Sequence, residues 1–557
     1  MRLFHCTTRR MVAGCLSVLT MAGALGLGGL SGGAPAFAAT SSPYQATAGI
    51  LTPVATVDPQ QLALATPAGA ATRGIARGAR RVHPRGPASQ ATVAAPTSLA
   101  ASATSQVLTN FNGVSSLDSA VTNFGAEFEP PDQGLCVGNG FVLEAVNSAY
   151  TVYRTNGAVV AGPFNVNALF DEGLKQFTSD PRCYFDRSTN TWFAIILFIN
   201  ATNTGGRTDL AVNTSGDPTK PWTIYHINGT DDGTNGMPNN PGCPCFGDQP
   251  LLGLDHANVY ISTNEFSILG PQFNGAQIYA IAKTDLVALA PRVHVVHYGN
   301  LMIGGALAAS VQPAITYGSP SAEFFLSSLD PTATTDDRLG VWALAHQPDI
   351  ATGGMPPLSH VVIASEPYGV PPGAVQKGAT SLLDAGDDRM MQVEYINGVL
   401  WGALGTTVTP NGDTTSRAGV AWFRVQPHLT GSTIASAVVR AQGYVTAPGN
   451  YLLYPALAVA PDGTAAMVVT ISGATRFASA AYTVLAPQQA AFGAIQIVAA
   501  GTGPYDPAAT RWGDYSAAAL APDSGSFWFA TEYIPPRSSQ TPDRLRNWGT
   551  RVFQVNG

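Results

Sequence analysis

The sequence predicts an all-β fold, a seven-bladed β-propeller preceded by a signal peptide and a disordered leader. Three observations lead there. The first is a repeated pattern, clearest in Arg511-Trp512-Gly513-Asp514-Tyr515-Ser516 and the residues after it. A polar residue opens a run of small and apolar residues, Ala517 to Ala521. A Pro-Asp-Ser-Gly turn breaks that run, and the aromatic β run Phe527-Trp528-Phe529-Ala530 follows. The second is spacing: pattern starts lie between 48 residues (Asp132 to Asp180) and 76 residues (Gln312 to Asp388) apart. That is room for one four-stranded sheet and variable loops per repeat. The third is composition: 59 Gly and 41 Pro punctuate the chain, and only 11% of its residues are charged. Globular chains carry roughly 25%.

Taken from the start, residues 1–38 read as a signal peptide. Arg2, Arg9 and Arg10 form a basic opening, Val12 to Leu30 an apolar stretch, and Ala36-Phe37-Ala38 a small-x-small cleavage site. Thr8-Arg9-Arg10 admits twin-arginine export as well as the ordinary secretory route. Export of the bacterial type, to the medium or the cell wall, is the expected localisation. No later run reaches the roughly 20 apolar residues of a membrane span. Residues 39–104 are rich in Ala, Thr, Pro and Ser, lack strand alternation, and carry a basic patch from Arg73 to Arg81. Such a segment cannot bury enough surface to fold alone and is expected to be a disordered leader or spacer.

The propeller is expected over residues 105–557. Its pattern openers are Asp132, Asp180, Asp248, Gln312, Asp388, Tyr454 and Asp514. Each precedes an apolar run, and Asn397-Gly398 and Asp462-Gly463 supply strong hairpin signals. Lone four-stranded sheets cannot bury both faces; packed radially, they bury one another. An array of β-sandwiches is the alternative, but each would need roughly 100 residues. Closure is expected where Val107 to Phe111 pairs with Gly549 to Val555, because closing the ring removes exposed edges.

In a propeller the first strand of each blade lines the central channel, so its opening residue stands at one mouth. Five carboxylates are therefore expected to converge there. Close carboxylates must be protonated, paired with cations or hydrogen-bonded. Arg182, Arg389 and Arg511 lie within three residues of three openers and are placed to neutralise them. The competing role for each Asp is structural, accepting backbone N–H groups of its own turn. A calcium ion is the one cofactor this chemistry admits. Neither the openers nor Asp231-Asp232-Gly233 matches a spaced calcium loop, so no metal ligand is assigned. The net charge of −7 and the absence of a basic stripe exclude a nucleic-acid binder.

Cys136, Cys183, Cys243 and Cys245 remain after signal removal, an even number suited to disulfides with three possible pairings. Cys243 and Cys245 are too close in sequence to be natural partners. Cys136 and Cys183 are therefore each expected to pair with one of them; a thiolate metal site is the alternative.

Several stretches carry a resemblance. They are Pro130-Pro131-Asp132 with Val137-Gly138, Asp180-Pro181 with Phe185-Asp186 and Trp192, Gly386-Asp387-Asp388-Arg389-Met390, and Arg511 to Ser516 with Glu532-Tyr533. Together they resemble bacterial secreted sialidase-like β-propellers over about Phe111 to Val555. Ala521-Pro522-Asp523-Ser524-Gly525-Ser526-Phe527-Trp528 is similar to the sialidase Asp box, with Ala521 where that motif has Ser. The resemblance implies a glycan-facing mouth, with Arg182, Arg389 and Arg511 imitating the sialidase arginine clamp. The Phe-Arg-Ile-Pro signature of sialidases is absent.

The functional expectation is an exported, monomeric binding or scaffold module presenting an acidic channel mouth to a glycan, a cation or a surface partner. The alternative is a glycoside hydrolase or related polysaccharide-active enzyme. Its catalytic candidates are Asp514, Tyr515, Glu532, Asp132 and Asp180; its ligand-binding candidates are Arg182, Asp248, Asp388, Arg389, Arg511 and Trp512. Carboxylates facing an open cleft favour hydrolysis, and a mouth whose acids all bond to backbone favours binding.

Overall fold

The computed structural model describes residues 44, 46–62, 75–77, 105–505, 511–521, 524–536 and 547–556. The signal-peptide expectation lies outside them. So do most of the basic patch and the Pro522-Asp523 centre of the Asp-box-like stretch.

The chain folds as an all-β propeller. Among the described residues, strand pairing resolves seven antiparallel units. Their innermost strands are Gly134–Gly138, Phe177–Asp186, Cys245–Leu254, Gln312–Thr316, Met390–Ile396, Asn450–Val459 and Ala517–Leu520. Each of these strands touches the next, and the last touches the first, so they form a ring. The blades are numbered below in that order.

Packing follows the radial logic. Most apolar clusters straddle consecutive blades, and one gathers Ala149, Met391, Tyr454 and Tyr515 from four blades. Leu143 and Tyr150 of blade 1 pack with Trp192 and Trp222 of blade 2. Val468 and Tyr482 of blade 6 pack with Phe529 and Phe553 of blade 7. Val142 and Tyr153 of blade 1 pack with Trp528 and Val552 of blade 7, which completes the circuit. Burying such aromatic side chains supplies about 2–3 kcal/mol apiece, so the blade interfaces hold the ring together.

The ring closes where the sequence places its closure. Val107–Ser115 is the outer strand of the last blade, antiparallel to Gly549–Val555, with Val552 opposite Phe111 and Val555 opposite Val107. A buried carboxylate fastens this strand: the Val114 N–H donates to Glu144 Oε2 at 2.9 Å. Gly113 is required there, since a Cβ would lie 2.2 Å from Glu144 Oε2 and 2.3 Å from Thr550 Oγ1.

Part of the expected disordered leader is ordered. Ala46–Leu51 adds a fifth strand to blade 3, along Val293–Tyr298. Pro53–Val57 adds a fifth strand to blade 2, along Trp222–Tyr225. Composition rightly shows that this segment has no core of its own. It folds instead by completing two sheet edges, a partner that composition cannot reveal.

The disulfide pairing differs from expectation. Cys136 bonds Cys183, with Cα atoms 5.5 Å apart, tying the inner strands of blades 1 and 2. Cys243 bonds Cys245, with Cα atoms 4.4 Å apart. That distance lies at the short end of what a disulfide spans, so proximity in sequence did not forbid the bond. With all four cysteines so engaged, the thiolate metal alternative falls away. The chain-entropy cost removed is about 4 kcal/mol for the first loop and only about 1 kcal/mol for the second.

Candidate functional site: the axial mouth

The inner strands begin with a shared backbone device. Asp132 (φ 50°), Asp180 (φ 59°), Gln249 (φ 47°), Ser310 (φ 47°), Tyr454 (φ 51°) and Gly513 (φ 59°) are left-handed. The pairing register slips at Ser179/Arg182, Asp248/Leu251 and Leu453/Ala456, where the extra residue bends the strand and re-aims its side chains. Asp tolerates this conformation because its short polar side chain bonds locally. Gln249 and Tyr454 lack that excuse, and strained backbone of this kind gathers at functional sites.

Four predicted carboxylates meet at the mouth. Asp132 feels the charges of Asp514 and Asp180. Asp180 feels those of Asp248 and Asp514. Asp388 does not join them. It is fully buried and faces Asp387, Asp330 and Asp336 instead. Both residues precede the strand Met390–Ile396, in the loop that enters it, and it is Asp387 that pairs with Arg389. Asp387 accepts from Arg389 Nε at 2.7 Å and Nη2 at 2.6 Å.

The arginines are engaged with the chain itself. Arg389 is buried and also donates to Gln249 Oε1. Arg511 donates to Asp514 Oδ2 and has Asp384 Oδ2 3.9 Å from its Nε. The Arg511 N–H donates to Glu129 Oε1 at 2.9 Å. Arg182 lies over the Tyr515 ring, its Cζ 3.5 Å from the centroid. A free three-arginine clamp is therefore not what the mouth presents.

Two predicted residues lose their assigned roles. Tyr515 is buried, donates its hydroxyl to Pro181 O at 3.1 Å, and burial pushes its pKa well above the usual tyrosine value. A tyrosine nucleophile needs the opposite shift. Trp512 is fully buried, edge-on to Tyr505 at 4.9 Å, so it offers no face for a sugar.

Burial sets the charge states. Burial, then Asp514 and Asp180, raise Asp132 well above the carboxylate range. Burial, then Asp132, Glu129 and Asp514, do the same to Glu532. Burial, then Asp248 and Asp514, bring Asp180 to about 7. Asp132 Oδ1 has no hydrogen-bond partner among the described residues, and the Gly513 N–H faces the Glu532 carboxyl. Asp514, Asp248 and Asp384 are half-exposed. Gln133, Arg182, Gln312 and Gln392 line a cavity of about 40 Å³ within the ring of inner strands. At ~10–15 Å³ per water, it holds a few waters and excludes a sugar ring.

Three residues that complete the site escaped sequence reading. Asn147 links Asp132 and Asp180 through its side-chain amide. Glu129 holds the Arg511 backbone, and Asp384 faces its guanidinium. Glu129 stands beside the Pro130-Pro131-Asp132 opener and was the one within reach of inspection.

No family model matches the chain, and no curated protein matches it. Several solved structures are similar to the chain at low identity. The Penicillium chrysogenum α-L-arabinanase complexed with arabinobiose is 11% identical, covers 80% of this chain and 98% of its own, and has a TM-score of 0.35. An exo-β-1,3-galactanase from Clostridium thermocellum is 10% identical, with 81% and 97% covered and a TM-score of 0.29. The Trypanosoma rangeli sialidase in complex with sialic acid is 9% identical, with 74% and 57% covered and a TM-score of 0.31. Likenesses this remote carry nothing about chemistry, and the fold rests on the strand pairing itself.

Proposed function

We propose that the axial mouth is a carbohydrate site that cleaves glycosidic bonds, with Asp180 as proton donor and Asp514 as its carboxylate partner. The observation that carries this reading is the unequal setting of neighbouring acids. Asp180 is held protonated up to about 7, while Asp514 is paired with the Arg511 guanidinium and half-exposed. Hydrolysis of an acetal needs that pair: one carboxyl that still carries its proton near neutrality, and one that stabilises or attacks the cationic sugar carbon.

A second reading, glycan binding without turnover, has one observation in its favour. Asp132, Asp180 and Glu532 are each less than a tenth exposed. The test is to offer the full chain a panel of cell-wall and plant glycans, following released reducing ends and retention by each glycan in affinity electrophoresis. Released sugar supports hydrolysis. Retention without release supports binding. Neither response across the panel would remove the carbohydrate reading.

A further inference from the structure

A second cluster of reactive groups lies outside the mouth, at the start of the blade 3 inner strand. The Cys243–Cys245 disulfide spans two residues. Cys243 is half-exposed and Cys245 fully buried, so an incoming group reaches one sulfur only. Glu265 is buried, with Oε1 3.8 Å from Cys243 Sγ. Asn274 is buried too, its Nδ2 3.7 Å from each sulfur. This bond does little to hold the fold, because a short loop removes little chain entropy. Its surroundings are nonetheless built: Asn240 Nδ2 donates to both Glu265 oxygens, at 3.0 and 2.8 Å, and the Ser267 hydroxyl holds Gly242 O at 2.6 Å.

We propose that Cys243–Pro244–Cys245 is a thiol–disulfide exchange site for exposed dithiols of polypeptides, with Glu265 as its proton donor and acceptor. The substrate thiolate attacks Cys243 Sγ and forms a mixed disulfide. The Cys243–Cys245 bond breaks, and Cys245 leaves as a thiolate facing the Asn274 N–H. The second substrate thiolate then attacks the substrate sulfur of the mixed disulfide. The substrate departs as a disulfide, two electrons having passed to the protein. The two protons of the substrate thiols end on Cys243, through Glu265, and on Cys245. A second disulfide, reduced in turn, restores the starting state.

The proton chemistry is in place. Burial, then the adjoining Asp231, raise Glu265 to about 8, so it holds a proton that it can release near neutrality. The titratable groups around it are Asp231, Tyr279 and His297. Gln277 donates to Asp231 Oδ2 at 3.0 Å, and its Oε1 lies 2.7 Å from His297 Nε2. Burial lowers the His297 pKa and keeps that ring neutral, and it raises Tyr279 beyond the relevant range.

The test uses the oxidised full chain with dithiothreitol as the probe dithiol, alkylation at intervals, and mass spectrometry of each cysteine pair. Cys243–Cys245 is expected to open at least about tenfold faster than Cys136–Cys183. The rate per thiolate is expected to hold below pH 8 and fall above it. Glu265→Gln should slow opening and flatten that profile. In a second assay, a reduced two-cysteine peptide with oxidised glutathione should be oxidised faster with the wild-type chain than with Cys243→Ser. Equal opening rates for the two disulfides, or peptide oxidation indifferent to Cys243→Ser, would overturn the proposal. Should Glu265→Gln fail to fold, the wild-type pH profile decides Glu265's part, and a profile without a fall near pH 8 contradicts it.

Discussion

Asn147 donates its side-chain N–H to Asp132 Oδ2 at 2.8 Å, and its Oδ1 accepts the Asp180 N–H at 2.7 Å. One buried amide thus sets the geometry of two mouth carboxylates from consecutive blades. Asn147→Ala leaves a buried N–H and a buried carboxyl without that partner. It is expected to cost about 3 kcal/mol, read as a lowered melting temperature, and to raise Asp132 further.

Stability should fall as pH rises through neutrality. Burial raises Asp180 to about 7, Glu144 to about 7 and Glu394 to about 8. Each folded-state value exceeds the unfolded value near 4, so the folded chain binds more protons between these limits. The resulting stability is complete below about pH 4 and is lost as pH rises through 7 to 8. Asp186 and Asp255 are lowered and act only below that window. Calorimetry from pH 5 to 8.5 should show the melting temperature falling, by the equivalent of a few kcal/mol.

Gly113→Ala tests the ring closure. The new methyl meets the Glu144 carboxyl and the Thr550 hydroxyl and must push the closing strand outward. A loss of about 2–3 kcal/mol is expected, with faster hydrogen exchange along Val107–Ser115 than elsewhere.

The two disulfides should differ in their contribution to stability. Replacing Cys136 and Cys183 by Ser opens a loop of sequence separation 47 and is expected to cost about 4 kcal/mol. Replacing Cys243 and Cys245, of separation 2, is expected to cost about 1 kcal/mol. Denaturant midpoints of the two double variants should fall in that order.

The propeller was legible because its evidence is local and repeated. Turns such as Asn397-Gly398 and the runs beside them announce hairpins, and the strand starting at Val107 had only one edge left to close. The site was legible in part. Asp132, Asp180, Asp248 and Asp514 converge, because each stands just before an inner strand or within its first four residues. Asp388 failed by one residue: in the loop before Met390–Ile396 it is Asp387 that reaches Arg389, and loop directions are not set by the strand period. Tyr515 and Trp512 failed because burial by neighbouring blades leaves no trace in their own segment. Asn147 lies in a turn of blade 1 with nothing in the sequence to mark its reach to blade 2. The order of Ala46–Val57 depends on vacant edges 160 residues or more downstream, which composition cannot see.

The most direct test of the mouth is the pH dependence of glycan cleavage by the full chain, beside Asp180→Asn and Asp514→Asn. Both positions accept Asn without backbone strain, and since Asp514→Asn also removes the charge partner of Arg511, melting temperatures confirm that each variant is folded. Reducing-end release should fall with a midpoint near pH 7 as Asp180 loses its proton, and each variant should lose about 10²-fold or more of the rate. Cleavage that survives Asp180→Asn with its pH profile unchanged would contradict the assignment.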